Sequence, residues 1–307
     1  MPIQREDIDL HSILAQYSQY EADPTPMAGG NTNWSWRLRG QLILTVMADA
    51  TVSAANTLAR LLEHLERHKF STNIIGRTDD GERCGTFQGR PVLLKYFMAG
   101  EVEADPDAEA LRHIGAELAA LHAVPPMDGL PKDHLYGLPE APLVLASDID
   151  PAFSRDLGAA LARLQPVLTS DLPRGLIHGD LFHDNVLVYR GTDMLITILD
   201  FEEASISPFA ADLGMAIIGL CIRDGAPDPE AIAALLQGYE AVRPLSAAER
   251  AAIPPLAALA AWACASWRFW RYHLTRPMPE RADLHREMAE LAVQLEAMSL
   301  PSPGTQA

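Results

Sequence analysis

One interruption organises the C-terminal two thirds of this chain. Among segments that otherwise read as helices stands Leu176-Ile177-His178-Gly179-Asp180-Leu181-Phe182-His183-Asp184-Asn185. The apolar run Val186 to Tyr189 follows, then a turn at Arg190 to Asp193, then Met194 to Leu199 leading into Asp200-Phe201-Glu202. Two short aliphatic runs around a polar turn predict a hairpin. A hairpin brings the chain back to its starting point, so Asp200 is expected beside Asn185. The expected fold therefore gathers the oxygens of Asp180, Asn185 and Asp200 in one place.

A carboxylate, a carboxamide and a second carboxylate in this arrangement suit phosphoryl transfer. That reaction asks a protein for a base to receive a hydroxyl proton and for oxygen ligands that hold Mg²⁺ against phosphates. Asp180 is then the base, and Asn185 and Asp200 are the metal ligands. His178 is expected to brace the turn. The plainer alternative makes Asp180 and Asn185 loop caps and Asp200 a turn residue, which requires several independent coincidences. A rival reading takes His178, Asp180, His183, Asp184 and Asp200 as the His/Asp cluster of a two-metal hydrolase. Against it, no second histidine cluster follows at fitting spacing, and His273 and His285 fall within helical patterns.

The N-terminal third reads differently. Trp34 to Leu38 and Leu42 to Met47 are expected strands, and Arg83 to Phe87 and Pro91 to Phe97 a second pair. Between them a helix from about Ser53 carries Leu58, Leu61, Leu62 and Leu65 at helical spacing. Ala28-Gly29-Gly30-Asn31-Thr32-Asn33 precedes the first strand. Such a stretch lets backbone N–H groups approach phosphates closely, which makes Gly30, Asn31 and Thr32 candidates for a nucleotide flap. Met98-Ala99-Gly100 and the acidic stretch to Asp107 form a connector. Beyond it, Asp105 is the expected cap and Pro106 the opening residue of a helix burying Leu111, Ile114, Leu118 and Leu121. Pro125 to Pro142 reads as a loop. Later helices are expected after Asp228-Pro229, after the capping box Ser246-x-x-Glu249, and from Asp283. The Ala-rich Ile253 to Trp267 reads as a buried helix. The expectation is an α+β, two-lobed protein-kinase-like fold, with residues 1–98 as a small antiparallel β-rich lobe and 99–307 as a larger helical lobe.

The formal charge of −17, from 24 basic against 41 acidic residues, disfavours nucleic acid and anionic membranes as partners. No run approaches the roughly 18 apolar residues of a membrane span. The three cysteines, Cys84, Cys221 and Cys264, stand in no ligand spacing and suit a reducing, cytoplasmic setting. Lysine occurs only as Lys69, Lys95 and Lys132, so a polyphosphate ligand needs a local device such as metal ions or backbone amides.

Together these stretches resemble the aminoglycoside phosphotransferase superfamily, which also holds choline and homoserine kinases. Within it the chain is most similar to bacterial homoserine kinases of the aminoglycoside-phosphotransferase type. The similarity rests on Gly30 to Trp34, Gly89-Arg90-Pro91 with Tyr96 to Gly100, the loop Leu176 to Val186, and Ala265 to Trp270. It implies ATP and Mg²⁺ as cosubstrates, a small alcohol as acceptor with L-homoserine first, and Tyr96, Phe97 and Met98 as an adenine-binding connector. Another amino alcohol, a choline-like molecule or an aminoglycoside is the alternative acceptor. The chain departs from the pattern in two places. Thr45 stands where most kinases carry the phosphate-anchoring lysine, which also admits a nucleotide-binding pseudokinase. Glu202-Glu203-Ala204-Ser205 replaces an expected aromatic-rich stretch, and His183 an expected proline. His183 and Glu202 are therefore acceptor candidates, Glu202 for a cationic amine. Arg268 is the candidate partner of an amino-acid carboxylate. Asp212 is expected to brace the catalytic loop.

Overall fold

The strands of the N-terminal third are legible because apolar residues alternate along them, and a computed structural model of the chain shows what each face covers. The structure describes residues 7–20, 23–27, 33–39 and 41–300. The chain divides between Ala99 and Gly100 into two units. In the first, helix α1 (Leu10–Leu14) precedes strands β1 (Thr25–Pro26), β2 (Trp34–Leu38) and β3 (Leu42–Val46). Helix α2 (Val52–Arg67) follows, then β4 (Ile75–Gly76), β5 (Gly85–Phe87) and β6 (Arg90–Tyr96). The antiparallel sheet runs β1-β2-β3-β6-β4, and β5 pairs the start of β6.

Strand alternation gives this sheet two unlike faces. Trp36, Leu38, Leu42, Leu44, Val46, Val92 and Leu94 point to one side, where Ile13 and Tyr17 complete an apolar cluster. The Tyr17 hydroxyl donates to the Val92 carbonyl and accepts from the Gly85 N–H, which locks the α1 segment across the sheet. The other face carries Ser35, Arg37, Ile43, Thr45, Leu93 and Lys95, as the pairings Ser35↔Thr45, Ile43↔Lys95 and Thr45↔Leu93 require. Helix α2 starts at Thr51, whose hydroxyl accepts from Ala54 N–H, and it buries Leu58, Leu61, Leu62 and Leu65 as expected.

The second unit is mainly helical. Its elements are α3 (Ala108–Ala123), α4 (Ala141–Leu145), α5 (Pro151–Leu168), β7 (Arg174–Ile177), β8 (Val186–Arg190) and β9 (Met194–Ile198). Then come β10 (Ser205–Pro208), α6 (Phe209–Leu220), β11 (Ile222–Arg223), β12 (Ala226–Pro227), α7 (Pro229–Val242), α8 (Ala247–Phe269) and α9 (Leu284–Glu296). The cap of α3 is Asp107, not Asp105: its carboxylate accepts from the Ala110 N–H at 2.8 Å. Pro106 therefore lies outside the helix, with its carbonyl accepting from Arg223. Pairing on β5 begins at Gly85 rather than Arg83. Asp228 caps α7 and Ser246 with Glu249 forms the expected box on α8. The Ala-rich body of α8 is buried throughout, packed by α5, α6 and α9. Cys84, Cys221 and Cys264 are buried free thiols. Among the described residues no helix is long and apolar enough to cross a membrane.

Helices α3 and α7 meet backbone to backbone at two glycines. A Cβ on Gly238 would lie 1.8 Å from the Arg112 carbonyl oxygen, and one on Gly115 would lie 2.1 Å from the Leu235 carbonyl oxygen. Neither obstacle is a flexible side chain, so the helices must separate to admit a methyl group. Gly238→Ala should lower stability by about 1–3 kcal/mol or more, read as a fall in the thermal unfolding midpoint. Gly158→Ala in α5 is the control. Its nearest atom is the Leu145 Cδ2 at 3.3 Å, so the helix-propensity gain of about 1 kcal/mol is free to show.

Candidate active site

The loop between β7 and β8 is held from beneath by one carboxylate. Asp212, fully buried in the first turn of α6, accepts the His178 N–H on Oδ2 and the Gly179 N–H on Oδ1, both at 2.8 Å. The His122 Nε2–H donates to the same Oδ2 at 3.0 Å, and the Tyr239 hydroxyl donates to His122 Nδ1 at 2.7 Å. A buried chain Tyr239–His122–Asp212 thus ends on two loop amides. Burial pushes the His122 imidazole below its ordinary pKa and keeps it neutral. Burial alone would raise Asp212, but the bond from His122 and the loop amides outweigh it and hold the carboxylate charged.

Gly179 has φ +84°, and a Cβ there would meet the Glu203 carbonyl oxygen at 2.5 Å, so a side chain is excluded on both counts. His178 does the bracing expected of it: its Nε2–H donates to the Leu199 carbonyl at 2.7 Å and its Nδ1 accepts the Asp180 N–H at 3.2 Å. Both ring nitrogens being spent on the backbone, His178 has no lone pair left for a metal, which removes a member of the two-metal cluster. A second glycine of α6, Gly219, lets that helix pass under the loop, since a Cβ on it would lie 2.3 Å from the Leu181 carbonyl oxygen.

Asp180 emerges from this platform partly exposed. Its carboxyl is raised well above the usual carboxylate range, by burial first and then by the charges of Asp200, Glu203, Asp184 and Asp212. Five residues on, Asn185 is 9% exposed, and its side-chain amide donates to the Asp180 carbonyl at 2.8 Å through Nδ2, so its Oδ1 is the candidate ligand atom. The β8–β9 hairpin pairs Val186 with Ile198, and the Leu199 N–H donates to the Asn185 carbonyl at 2.8 Å. The hairpin therefore delivers Asp200 next to Asn185. Asp200 is exposed and left-handed, with φ 62° and ψ 67°. Such a backbone in a non-glycine residue is strained and concentrates at functional sites. Among the described residues no group of three or more His, Cys, Asp or Glu forms a metal cage. The oxygen donors of Asn185 and Asp200 do fit Mg²⁺, a hard cation that takes one or two protein ligands and completes its shell with water and phosphate.

Several neighbours of Asp180 were not anticipated. Tyr136 has its phenol raised by burial and by the charges of Asp180, Cys264, Glu203 and Glu140. Its ring packs on Trp267 at 5.3 Å between centroids. Glu203 accepts from His134 Nε2–H at 2.7 Å. The loop bearing His134 and Tyr136 lies against α8 at Gly137, where a Cβ would meet the Ala263 carbonyl oxygen at 2.0 Å. Of the acceptor candidates, His183 is half-buried in the short turn before Asn185, and Glu202 is exposed beside Phe201. Arg268 is tied to α9, donating to the Leu284 carbonyl at 3.1 Å with Glu287 at 3.9 Å.

In the first unit, Gly30, Asn31 and Thr32 lie outside the described residues. Thr45 is buried on β3 with its hydroxyl 3.1 Å from that of Ser35. Tyr96 pairs with Leu42, so its ring lies on the face opposite Thr45, in an open pocket of about 760 Å³ with Tyr20, Glu63, Arg67 and Arg77. The Tyr96 carbonyl accepts from the Asn73 side-chain amide. Phe97 is covered by the Arg37 guanidinium at 4.2 Å, and its N–H donates to the Gln41 carbonyl. Met98 is half-buried beside it.

The Tyr239–His122–Asp212 chain sets an acid limit on stability. Below about pH 6.5 the unfolded imidazole takes a proton that buried His122 refuses, so the unfolded state binds more protons and stability falls with pH. The depressed Asp212 acts in the same direction at lower pH, its contribution being present above the ordinary carboxylate range and lost as pH falls through the folded value. The unfolding midpoint should drop between pH 7.5 and 5.5. His285 is depressed as well, so the readout is the difference between the wild type and His122→Gln, whose midpoint should depend less on pH. Equal slopes for the two proteins would remove His122 as the group responsible.

Comparison with known proteins places the chain in a family. Residues 23–245 match the APH phosphotransferase enzyme family. A homoserine kinase of Methylobacterium radiotolerans is 35% identical over 206 residues, covering 64% of this chain and 63% of that relative. One from Gluconacetobacter diazotrophicus is 33% identical over 242 residues, covering 75% of each. The chain thus matches just under two thirds of the first relative's length and three quarters of the second's. The solved structure of a microcompartment-associated aminopropanol kinase superposes with a TM-score of 0.72 at 18% identity, over 94% of this chain and 98% of that one. Amicoumacin kinase hAmiN, in complex with AMP-PNP, Ca²⁺ and Ami, gives 0.70 at 16% identity, over 94% of each. At these identities the structural likeness speaks for the α+β, protein-kinase-like fold alone. By its family match and its curated relatives, the chain belongs to the phosphotransferase enzyme family.

Proposed function

We propose that the protein is an ATP-dependent kinase of a small alcohol bearing an amino group, with L-homoserine the first candidate. The observation that carries this reading is the convergence of Asp180, Asn185 and Asp200, two of them on a loop fixed by Asp212 and the third returned by a hairpin. Asp180 orients the acceptor hydroxyl and receives its proton as the oxygen attacks the γ-phosphorus. The new O–P bond forms as the bond from phosphorus to the β–γ bridging oxygen breaks, releasing ADP. Mg²⁺ held by Asn185 and Asp200 would supply the positive charge that offsets the phosphates. Homoserine is favoured over other acceptors by the curated relatives named as homoserine kinases.

Glu203 is a better candidate for the acceptor's amine than the expected Glu202, since its charge reaches both Asp180 and Tyr136. The Tyr136–Trp267 pair offers an apolar wall for the acceptor's methylenes. In this reading Thr45 does not mark a pseudokinase, because the base and both metal ligands are intact.

ADP release from Mg-ATP, measured across L-homoserine, L-serine, L-threonine, aminopropanol, choline, ethanolamine and aminoglycosides, tests the proposal, with Asp200→Ala as the blank. Turnover with homoserine supports it in full. Turnover with another amino alcohol alone keeps the chemistry and discards the acceptor. Nucleotide bound without turnover on any alcohol rejects the kinase reading in favour of a pseudokinase. Asp180→Asn should lower kcat about 10²- to 10⁴-fold while nucleotide affinity is kept. Glu203→Gln should raise KM for the amino-bearing acceptor about tenfold and leave KM for ATP unchanged.

A further inference from the structure

The face of the first unit's sheet turned away from its apolar cluster carries a lysine that has no anionic partner among the described residues. Lys95 on β6 pairs with Ile43 on β3, and Thr45 pairs with Leu93, so Lys95 is the diagonal neighbour of Thr45. Diagonal neighbours on one face are about 7–8 Å apart at their backbones, within reach of a long side chain. Ser35 and Thr45, their hydroxyls 3.1 Å apart, extend the same strip to β2. Lys95 is half-buried, and among the described residues no hydrogen bond or ion pair engages its ammonium. The cationic neighbour on this face, Arg37, stacks on Phe97. Glu63 on α2 is spent on Arg77 and Arg83. A lysine on a sheet face that also carries two hydroxyls, with no partner among the described residues, is suited to an anion from outside the chain.

The other two lysines do not compete. Lys69 is exposed beyond the end of α2, and Lys132 belongs to the second unit, bridging Ile206. Resting on the kinase reading above, we infer that Lys95 replaces the missing strand lysine. From one strand over it reaches across Thr45 to the α- and β-phosphates of the nucleotide, with the Ser35 and Thr45 hydroxyls as further donors. The role that most kinases assign to a lysine on the third strand is thereby moved to the strand that leads into the connector.

The test is nucleotide affinity in the full chain, compared between ligands with and without phosphates. Lys95→Met and Lys95→Gln should weaken ADP and ATP about ten- to a hundredfold, leave adenosine affinity unchanged, and leave the unfolding midpoint unchanged. Lys95→Arg should keep most of the ADP affinity. Thr45→Lys placed in the Lys95→Met protein should restore it in part, because the charge returns to the same strip. Unchanged ADP affinity in Lys95→Met, or equal loss for ADP and adenosine, overturns the inference while leaving the kinase reading intact. Wild-type protein that binds no nucleotide overturns both.

Discussion

The second unit depends on the Asp212 carboxylate. It lies in the first turn of α6 with no solvent contact, and both its oxygens are filled by donors from His178, Gly179 and His122. A buried charge is costly unless hydrogen bonds replace its lost water, and here each replacement bond also fixes part of the loop. Without the carboxylate, two backbone amides and an imidazole would be left unpaired in an apolar interior, at about 1–3 kcal/mol each. The loop therefore has one favourable position. The left-handed Gly179, the His178 ring and the Asn185 carboxamide all take their places relative to it.

Two aspartates one loop apart consequently have opposite characters. Asp212 is surrounded by donors and remains a charged anchor below the ordinary carboxylate range. Asp180 is surrounded by burial and by other carboxylates, Asp200 and Glu203 foremost, and is raised. Environment alone separates them, and in the proposed kinase reading this divides the anchoring acid from the base. The rigid member positions the reactive one through backbone hydrogen bonds rather than through side-chain contact. Among the described residues the hydrogen bonds to Asp180 are made by its backbone, which is held in place while its carboxylate makes none.

Local signals were the legible part of this fold. The hairpin that returns Asp200 to Asn185, the caps at Asp228 and Ser246, and the apolar stripe of α2 all come from neighbours in sequence, where turn chemistry and period suffice. Asp105 has the sequence signal of a cap because it precedes a proline, yet Asp107 stands two residues later with the geometry that reaches an N–H. Helices α5 and α6 were passed over for different reasons. The stripe Phe153, Leu157, Leu161, Leu164 and Leu168 was present to be read. Helix α6 is buried on every side, so it has no polar face to set a period. The wall of Tyr136, His134, Glu203 and Trp267 was the least legible. Its members come from a loop, a turn and a long helix, and Gly137 brings the loop against α8 by a close approach that only tertiary structure reveals.

The site concentrates like charge. A chain at −17 gathers Asp180, Asp184, Asp200 and Glu203 within mutual electrostatic reach at the end of one hairpin. Without cations that grouping opposes folding, since like charges in a partly buried place repel more strongly than in water. Asp200 adds a left-handed backbone to the cost. The compensation lies elsewhere in the unit. It comes from the alanine-lined body of α8, the backbone contact of α3 with α7, and the filled donors around Asp212. Stability is supplied by packing that contributes no chemistry. The strained and repelling groups stand together at the edge of that packing, and in the proposed kinase reading a cation and a polyphosphate would relieve the repulsion on binding.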